Sequence, residues 1–429
     1  MRRHWIPGKV FSALASGSGG ADAVDHLRAA QYSKRLLLLR GVRDAARQEG
    51  PERARRARQA FALLAEIQQQ SPEAVESVVR HPSVGAWAQQ TLRGSGDTGG
   101  MAVLAGAAVV RAGFPRPVEV PVRDGAVVLP SLGRALVSGG TATATVRSGP
   151  GTAELTASGV RVQIPADPHR DAPRWEGLRR LDAEYHGRAI RLLMDDVDPY
   201  RLPGADTGVS RPNPQELELW RSMMRRAWRL LVRWHWTTAE EVAATTTVLT
   251  PMAQPEEGLR SATASEAFGT VGMSMPPDEH SLAVSLAHEL QHAKLGALTD
   301  LVTLTRPDDG SRYYAPWRED PRPITGLLHG VYAHLGVAGF WRRQRVHERG
   351  DIAMRAHTEF ARWRDASVLG ARTLSASGRL TSEGELFVAD MAGTLQKWCR
   401  EQVPVAALDR ARVTAEQHRE RWRRNAEPA

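Results

Sequence analysis

The chain has 429 residues, 42% of them hydrophobic and 24% charged, which is typical of a soluble globular protein with a sizeable core. The net charge is +9, and almost all the positive charge is arginine. A single cysteine excludes an internal disulfide and a zinc–thiolate site, so a metal would need histidine and carboxylate ligands, and the cytoplasm is the expected location. Neither a nucleic-acid motif nor a long apolar run is present, so we expect no nucleic-acid or membrane partner. The positive charge reflects either a codon bias towards arginine or attraction to an acidic partner, such as an acidic peptide segment.

The N-terminal region is predicted to be helical, because apolar residues recur at three-to-four spacing over 21–39 and 50–70. A glycine-rich stretch near residue 95 marks a change of character. From about 101 to 165, short β-like runs alternate with Gly and Ser turns, which predicts a small β-rich insert. The next segment, 167–176, is rich in Pro, Asp and Arg and is interpreted as a linker.

The rest of the chain mixes helical and β-like patterns. Helices are predicted over 214–232, 281–298, 325–345, 352–369 and 382–403, and β-like runs over 245–250 and 269–275. We therefore expect an α+β fold that is mostly helical, with a zincin-like metal helix next to a small antiparallel sheet. The expected domains are a helical N-terminal region (1–98), a small β-rich region (99–170) and an α+β metal-binding catalytic domain (171–429).

The predicted helix over 281–298 contains a metal-binding motif, His288-Glu289-Leu290-Gln291-His292. Histidines four residues apart differ by about 40° around an α-helix, so both imidazoles can share one metal ion. In zinc hydrolases with this pattern the glutamate, here Glu289, is the general base for a metal-bound water. The β-like run 269–275 would be the edge strand that pairs with an extended peptide, as in zincins.

A third metal ligand is not given by the motif, because Thr299 stands where the extended motif would have a histidine. The candidates that follow in the chain are Asp300, Glu319, Asp320, His329 and His334. His329 and His334 differ by about 140° around a helix, so they cannot both face one metal ion. One is a ligand candidate, and the other is expected to be a packing or surface residue. Histidines elsewhere, including His81, are interpreted as surface or packing residues.

Three stretches carry a resemblance to a known family: Leu286-Ala287-His288-Glu289-Leu290-Gln291-His292-Ala293-Lys294-Leu295, Tyr313-Tyr314-Ala315-Pro316-Trp317-Arg318-Glu319-Asp320-Pro321-Arg322-Pro323 and Gly326-Leu327-Leu328-His329-Gly330-Val331-Tyr332-Ala333-His334-Leu335. On these residues the sequence resembles the actinobacterial His-Glu-x-x-His proteins that are encoded with ribosomal peptide natural products. That family is described as α-ketoglutarate-dependent peptide β-hydroxylases. The likeness is clear over about 260–345. The first stretch is shared with many hydrolases, and the other two are more specific.

The resemblance implies that His288, His292 and His329 bind Fe(II), with Asp320 as the alternative third ligand. Glu289 would then support the site by orienting a ligand or the substrate. α-Ketoglutarate is a dianion whose distal carboxylate needs a fixed cation, and an arginine offers a two-pronged fork. Arg322, between two prolines, is the first choice, followed by Arg318. A tyrosine hydroxyl, such as that of Tyr314, would add a donor.

Three functions are therefore considered. The first is an Fe(II)/α-ketoglutarate-dependent oxygenase that hydroxylates a β-carbon of a residue in a ribosomally made precursor peptide, which would carry an acidic segment. The second is a zinc (Zn2+) metallopeptidase with Glu289 as the general base. The third is a non-catalytic module that binds a leader peptide.

Overall fold

The computed structural model describes residues 4–137, 140–149, 151–208, 210–256 and 258–426; the outermost residues of the predicted domains, 1–3 and 427–429, lie outside that description. The described residues form thirteen α-helices and fourteen β-strands. The helices are α1 (Gly8–Ala15), α2 (Gly20–Ala45), α3 (Pro51–Gln70), α4 (Pro72–Val79), α5 (Pro82–Leu92), α6 (Gly100–Ala112), α7 (Pro214–Trp234), α8 (Trp236–Thr245), α9 (Glu279–Thr299), α10 (Ile324–Gln344), α11 (Gly350–Ala376), α12 (Ser382–Cys399) and α13 (Val405–Ala426). The strands are β1 (Val118–Pro121), β2 (Ala126–Leu129), β3 (Gly133–Leu136), β4 (Thr143–Gly149), β5 (Thr152–Ala157), β6 (Val160–Ile164), β7 (Trp175–Gly177), β8 (Arg179–Arg180), β9 (Ala183–Tyr185), β10 (Arg188–Ile190), β11 (Leu193–Met194), β12 (Val248–Pro251), β13 (Ser261–Ala262) and β14 (Thr270–Met273).

The predicted class, a mixed α+β fold that is mostly helical, is confirmed. Helix α7 shows why the periodic segments were predictable. Asn213 caps it by accepting from the backbone N–H groups of Gln215 and Glu216, and Pro214 occupies the first turn. Its apolar stripe, from Leu217 to Val232, lies in the core. No helix among the described residues is both long and apolar enough to cross a membrane.

Helices and strands of the first half of the chain share one hydrophobic core, which extends from Leu39 to Trp175. Two predictions for this region were wrong. Residues 100–112, expected to be β-like, form α6, which is buried on most sides and therefore shows no amphipathic period. Part of the predicted linker forms β7, which pairs with β3 and buries Trp175 completely.

The metal-motif helix α9 lies beside a five-stranded sheet of order β13-β14-β12-β11-β8. The sheet was expected to be antiparallel, but its centre is parallel: β11 pairs with β12 and β12 with β14. The reason is the long connections, since α7 and α8 lie between β11 and β12 in the chain. The expected edge strand, 269–275, is also wrong, because β14 is paired on both sides and β13 forms that edge.

Helices α9 and α10 pack closely against each other. Gly336 allows this, because a Cβ at this position would lie 2.7 Å from Cγ of Gln291 and 3.0 Å from the carbonyl oxygen of Ala287. The N-terminal helix α1 completes this region: Leu14 joins a core that also contains Leu298 of α9 and Phe387 of α12. Helices α1 and α12, which are far apart in the sequence, therefore pack together next to the predicted metal helix.

Candidate metal centre

Two histidines of α9 come together as the motif predicts. Asp278 caps the helix by accepting from the backbone N–H of Ser281 at 2.7 Å. One turn apart, His288 and His292 place their Nε2 atoms 3.2 Å from each other. Two nitrogens bound to one ion at about 2.1 Å lie about 3.0–3.4 Å apart for octahedral or tetrahedral angles, so this pair has the spacing of metal ligands.

Helix α10 brings two further histidines to the same place. The ring centroid of His334 lies 5.0 Å from that of His288, and the centroid of His329 lies 5.9 Å from that of His292. The two thus approach different members of the pair, as their spacing on one helix requires. Nδ1 of His334 lies 2.8 Å from the carbonyl oxygen of Gly330, so it donates there and Nε2 keeps its lone pair.

Trp317 fills the space next to His334. Its indole stacks on the ring of His334, with 4.6 Å between the ring centroids. The ring of Trp363 also packs against His334, with 4.5 Å between the centroids. Gly330 makes room for this, because a Cβ there would lie 2.4 Å from the indole of Trp317. His334 is therefore a packed ring that also borders the cavity, whereas sequence reasoning had to choose between these roles.

All four histidines are neutral near pH 7. Burial lowers the pKa of His288 and of His334 to about 3. Burial also lowers the pKa of His329, and burial together with the neighbouring His288 and His329 lowers that of His292 well below its usual value. Neutral imidazoles are the form that binds metal ions.

Taken together, the ligand atoms of the four histidines lie farther from one another than they would around a bound metal ion. Within the described ranges, no three of their ligand atoms lie within 4.8 Å of one another. His288 and His292 are thus a preformed pair, and a third ligand from α10 would have to move towards the ion.

Glu289 is buried between the helix and the edge strand β13. Its Oε1 accepts from the hydroxyl of Ser261 at 2.6 Å and lies 4.0 Å from Nε2 of His288. Its Oε2 is buried and has no hydrogen-bond partner among the described residues. Burial raises the pKa of Glu289 to about 7, while Ser261 and Thr263 act in the opposite direction.

The second motif forms a closed loop whose ends pair as a β-bridge between Tyr313 and Arg322. At the other side of this loop, Asp320 accepts from Nε of Arg318 at 2.6 Å and from Nη1 of Arg322 at 3.0 Å. Both guanidinium groups are held in position, and each retains further N–H groups that can bind an anion.

The cavity in front of the histidine pair has a volume of about 920 Å³. Its lining contains the four histidines, Glu289, and three arginines: Arg260, Arg318 and Arg322. Three guanidinium groups against one carboxyl group make this an environment for an anion.

Two predicted site residues lie elsewhere. The hydroxyl of Tyr314 is 2.9 Å from Nδ1 of His418, and its ring packs on Trp422, so Tyr314 faces α13 instead of the cavity. The prediction that Tyr314 binds the cofactor is corrected accordingly. Asp320 is exposed and bonded to both arginines, and it is not among the residues that line the cavity. The structure does not bring it to the histidines.

A second group of possible ligands was missed. His81, Asp195 and Asp198 are buried, and their ligand atoms lie within 4.8 Å of one another, so this group could hold a metal ion. His81 precedes α5, whereas the aspartates follow β11, and no local spacing links them. The signal available was the acidic run Asp195-Asp196-Val197-Asp198 directly after a strand.

A scan against models of protein families finds no match for this chain, and a search of curated proteins finds none either.

Proposed function

We propose that the protein is an Fe(II)/α-ketoglutarate-dependent oxygenase that hydroxylates a β-carbon in a ribosomally made precursor peptide. The observation that carries the proposal is that Arg318 and Arg322 border the same cavity as the histidine pair. A dianion chelated to the metal needs a fixed cation for its distal carboxylate, and either arginine could provide it. The same arrangement supports the resemblance to the peptide β-hydroxylases.

The residues fit an iron ion. His288 and His292 supply neutral imidazoles at ligand spacing, and His329 or His334 of α10 would supply the third ligand. His334 has the feature common to metal-bound histidines, namely an Nδ1–H that donates to a backbone carbonyl, here that of Gly330. These four histidines line the cavity, so an ion that they hold would border it.

The arginine loop fits α-ketoglutarate. Arg322 is the better placed of the two, because its guanidinium packs against Gly326 at the start of α10, with Nε 3.1 Å from where a Cβ would be. The β-bridge at Tyr313 and the bond to Asp320 hold the fork in position. When bound, iron and α-ketoglutarate supply oxidative decarboxylation coupled to insertion of one oxygen atom into a C–H bond.

A peptide substrate is supported by the edge strand β13, which with residues 263–265 borders the cavity. An extended peptide can add to a sheet edge by main-chain hydrogen bonds, as in the zincin-like arrangement we propose. Ser261 in this strand holds Glu289, so the strand, the glutamate and the metal helix form one unit. Glu289 in this proposal orients the site and bears no proton-transfer role.

The test is to reconstitute the protein anaerobically with Fe(II) and α-ketoglutarate, admit air, and add the small peptide encoded beside it. We expect succinate and a peptide that gains one oxygen atom, both dependent on iron and α-ketoglutarate. A peptide of unchanged mass, with no succinate formed, would contradict the proposal.

A zinc metallopeptidase is the second candidate, and the position of Glu289 favours it. A buried carboxyl group with a pKa near 7, 4.0 Å from a metal-facing histidine nitrogen, is suited to a general base. The Glu289→Gln variant separates the two functions. Cleavage that disappears in this variant would establish the peptidase, whereas oxygenation that persists in it would exclude the peptidase. A purified chain that binds no metal would leave a leader-peptide-binding module.

A further inference from the structure

We propose that His81, Asp195 and Asp198 form a second metal site, which binds a divalent transition-metal ion and ties the N-terminal helices to the sheet of the metal-motif helix. The site would be separate from the histidine cavity. Asp195 and Asp198 follow β11, whereas Ser261, which contacts Glu289, lies on the edge strand β13 with β12 and β14 between.

The first argument is that two buried ligand atoms face each other without a partner. Nε2 of His81 and Oδ2 of Asp195 are 3.7 Å apart, and neither has a hydrogen-bond partner among the described residues. His81 is 4% exposed and Asp195 0%, so water does not satisfy these atoms from the surface. Burying polar atoms without partners is unfavourable, and an ion bound between these two atoms would satisfy both of them.

The second argument is distance. At 3.7 Å the two atoms are too far apart for a proton to join them, since N–H···O bonds span about 2.7–3.2 Å. A metal ion with bonds of about 2.1 Å to each would bridge this distance at an angle of about 120°. Asp198 offers the third ligand atom within the same 4.8 Å group.

The third argument is the orientation of His81. Its Nδ1 lies 2.8 Å from Oγ of Ser83, and the Ser83 side chain also lies near the carboxyl group of Asp198. In the tautomer with a proton on Nδ1, His81 donates to Ser83, whose own hydroxyl is then free to donate to a neighbouring acceptor such as Asp198. The lone pair of His81 is then on Nε2, facing Asp195, which is the ligand-ready tautomer with its outer hydrogen bond in place.

Charge supports the same conclusion. Arg201 lies near both carboxyl groups, but its Nη1 and Nη2 donate to the backbone carbonyls of Asp198 and Thr207. Asp196, the aspartate between them, is already paired with Arg179 and Arg211. Among the described residues, no Lys or Arg side chain forms an ion pair with the two remaining buried carboxyl groups.

The ligand set selects the class of ion. One imidazole with two carboxylates suits Zn2+, Mn2+ or Fe2+, whereas Ca2+ and Mg2+ prefer oxygen ligands alone. A cavity of about 320 Å³ is bordered by Ser83 and Asp198. Because His81 begins the N-terminal helix α5 and Asp195 follows β11, a bound ion would link two hydrophobic cores.

The experiment uses the full chain with His288→Ala and His292→Ala, which removes the histidine pair of the cavity. After dialysis against a chelator, Zn2+ is titrated by calorimetry, bound metal is counted by mass spectrometry, and the melting temperature is recorded. We expect one Zn2+ per chain and a melting temperature several degrees higher with Zn2+ than without it. A chain that is folded by circular dichroism but binds no Zn2+, and likewise no Mn2+, overturns the proposal.

A pair of substitutions then identifies the ligands. Asp195→Asn in the same background should abolish binding, while the matched control Asp196→Asn removes an equally buried carboxyl group but should retain one Zn2+ per chain. If Asp195→Asn does not fold, Asp198→Asn and His81→Gln take its place. Unchanged stoichiometry in a folded ligand variant overturns the assignment. The outcome does not depend on peptide hydroxylation, because the histidine pair of the cavity is absent throughout and metal binding is measured directly.

Discussion

Helix α9 has two unlike faces. One carries His288 and His292 and opens into a cavity of about 920 Å³ lined with arginines and small polar residues. The other carries Lys294, 1% exposed, whose Nζ donates to Oε2 of Glu241 at 2.9 Å and to the carbonyl oxygen of Ser18 at 3.1 Å. The first face borders this large cavity, whereas the second borders only a pocket of about 120 Å³.

The sealed face is built from distant parts of the chain. Gln291 donates to the carbonyl oxygen of Gly17, and the backbone N–H of Gly20 donates to Oε1 of Glu241. Tyr332 of α10 donates through its hydroxyl to the carbonyl oxygen of Leu14. The N-terminal segment thus holds the back of α9, which fixes the two histidines on its front. Opposite sides of one helix would therefore serve stability and the proposed chemistry.

The strongest test of the open face is His292→Ala. This substitution removes a proposed metal ligand. Peptide hydroxylation should therefore fall by more than the ~10–100-fold loss that is typical when a residue supporting a metal ligand is replaced. Its free energy of unfolding without metal should change by less than about 1 kcal/mol. Turnover and urea denaturation measure the two effects, with the exposed His26→Ala as control. Full turnover in the variant would contradict the assignment of the cavity.

Lys294→Met tests the sealed face. It leaves the carboxyl group of Glu241 buried without its cation, and losing one partner of a buried pair costs about 3–5 kcal/mol. Denaturation of metal-free protein should show this loss. Lys34→Met is the control, because the Lys34–Asp300 pair is partly exposed and should be worth about 0–1 kcal/mol. Equal losses in the two variants would mean that the back of α9 is not the tightly held face.

A smaller effect is expected for Arg322→Lys. Lysine retains the charge but loses the fork, and a hydrogen bond to a charged group is worth about 1.5–3 kcal/mol, so the half-saturating α-ketoglutarate concentration should rise about 10-fold or more. Arg312, just before this loop, is exposed, so Arg312→Lys should leave the half-saturating α-ketoglutarate concentration unchanged. Succinate formation at varied α-ketoglutarate gives both values. A larger rise in Arg318→Lys than in Arg322→Lys would move the binding role to Arg318.

The sequence revealed what is local and periodic. Helix α7 was predictable from its cap and apolar stripe, and the histidine pair from a spacing of four. Helix α6 was missed because it is apolar on nearly every side and so has no period to detect. The contact between Ser261 and Glu289 and the His81–Asp195 approach join residues far apart in the chain. Only folding brings such groups together.

Tyr314 illustrates the same limit and gives the smallest expected effect. It is next to Tyr313 in the arginine loop, but the loop turns its hydroxyl towards His418 of α13. Tyr314→Phe should therefore change hydroxylation and α-ketoglutarate saturation by less than about twofold, and it should cost at most about 0.5–1.5 kcal/mol of stability through the lost hydrogen bond. Steady-state kinetics and thermal melts of the single variant and of Tyr314→Phe with His418→Ala provide the check. A tenfold loss of turnover in the single variant would mean that α13 separates from the loop during catalysis and that Tyr314 reaches the open face after all.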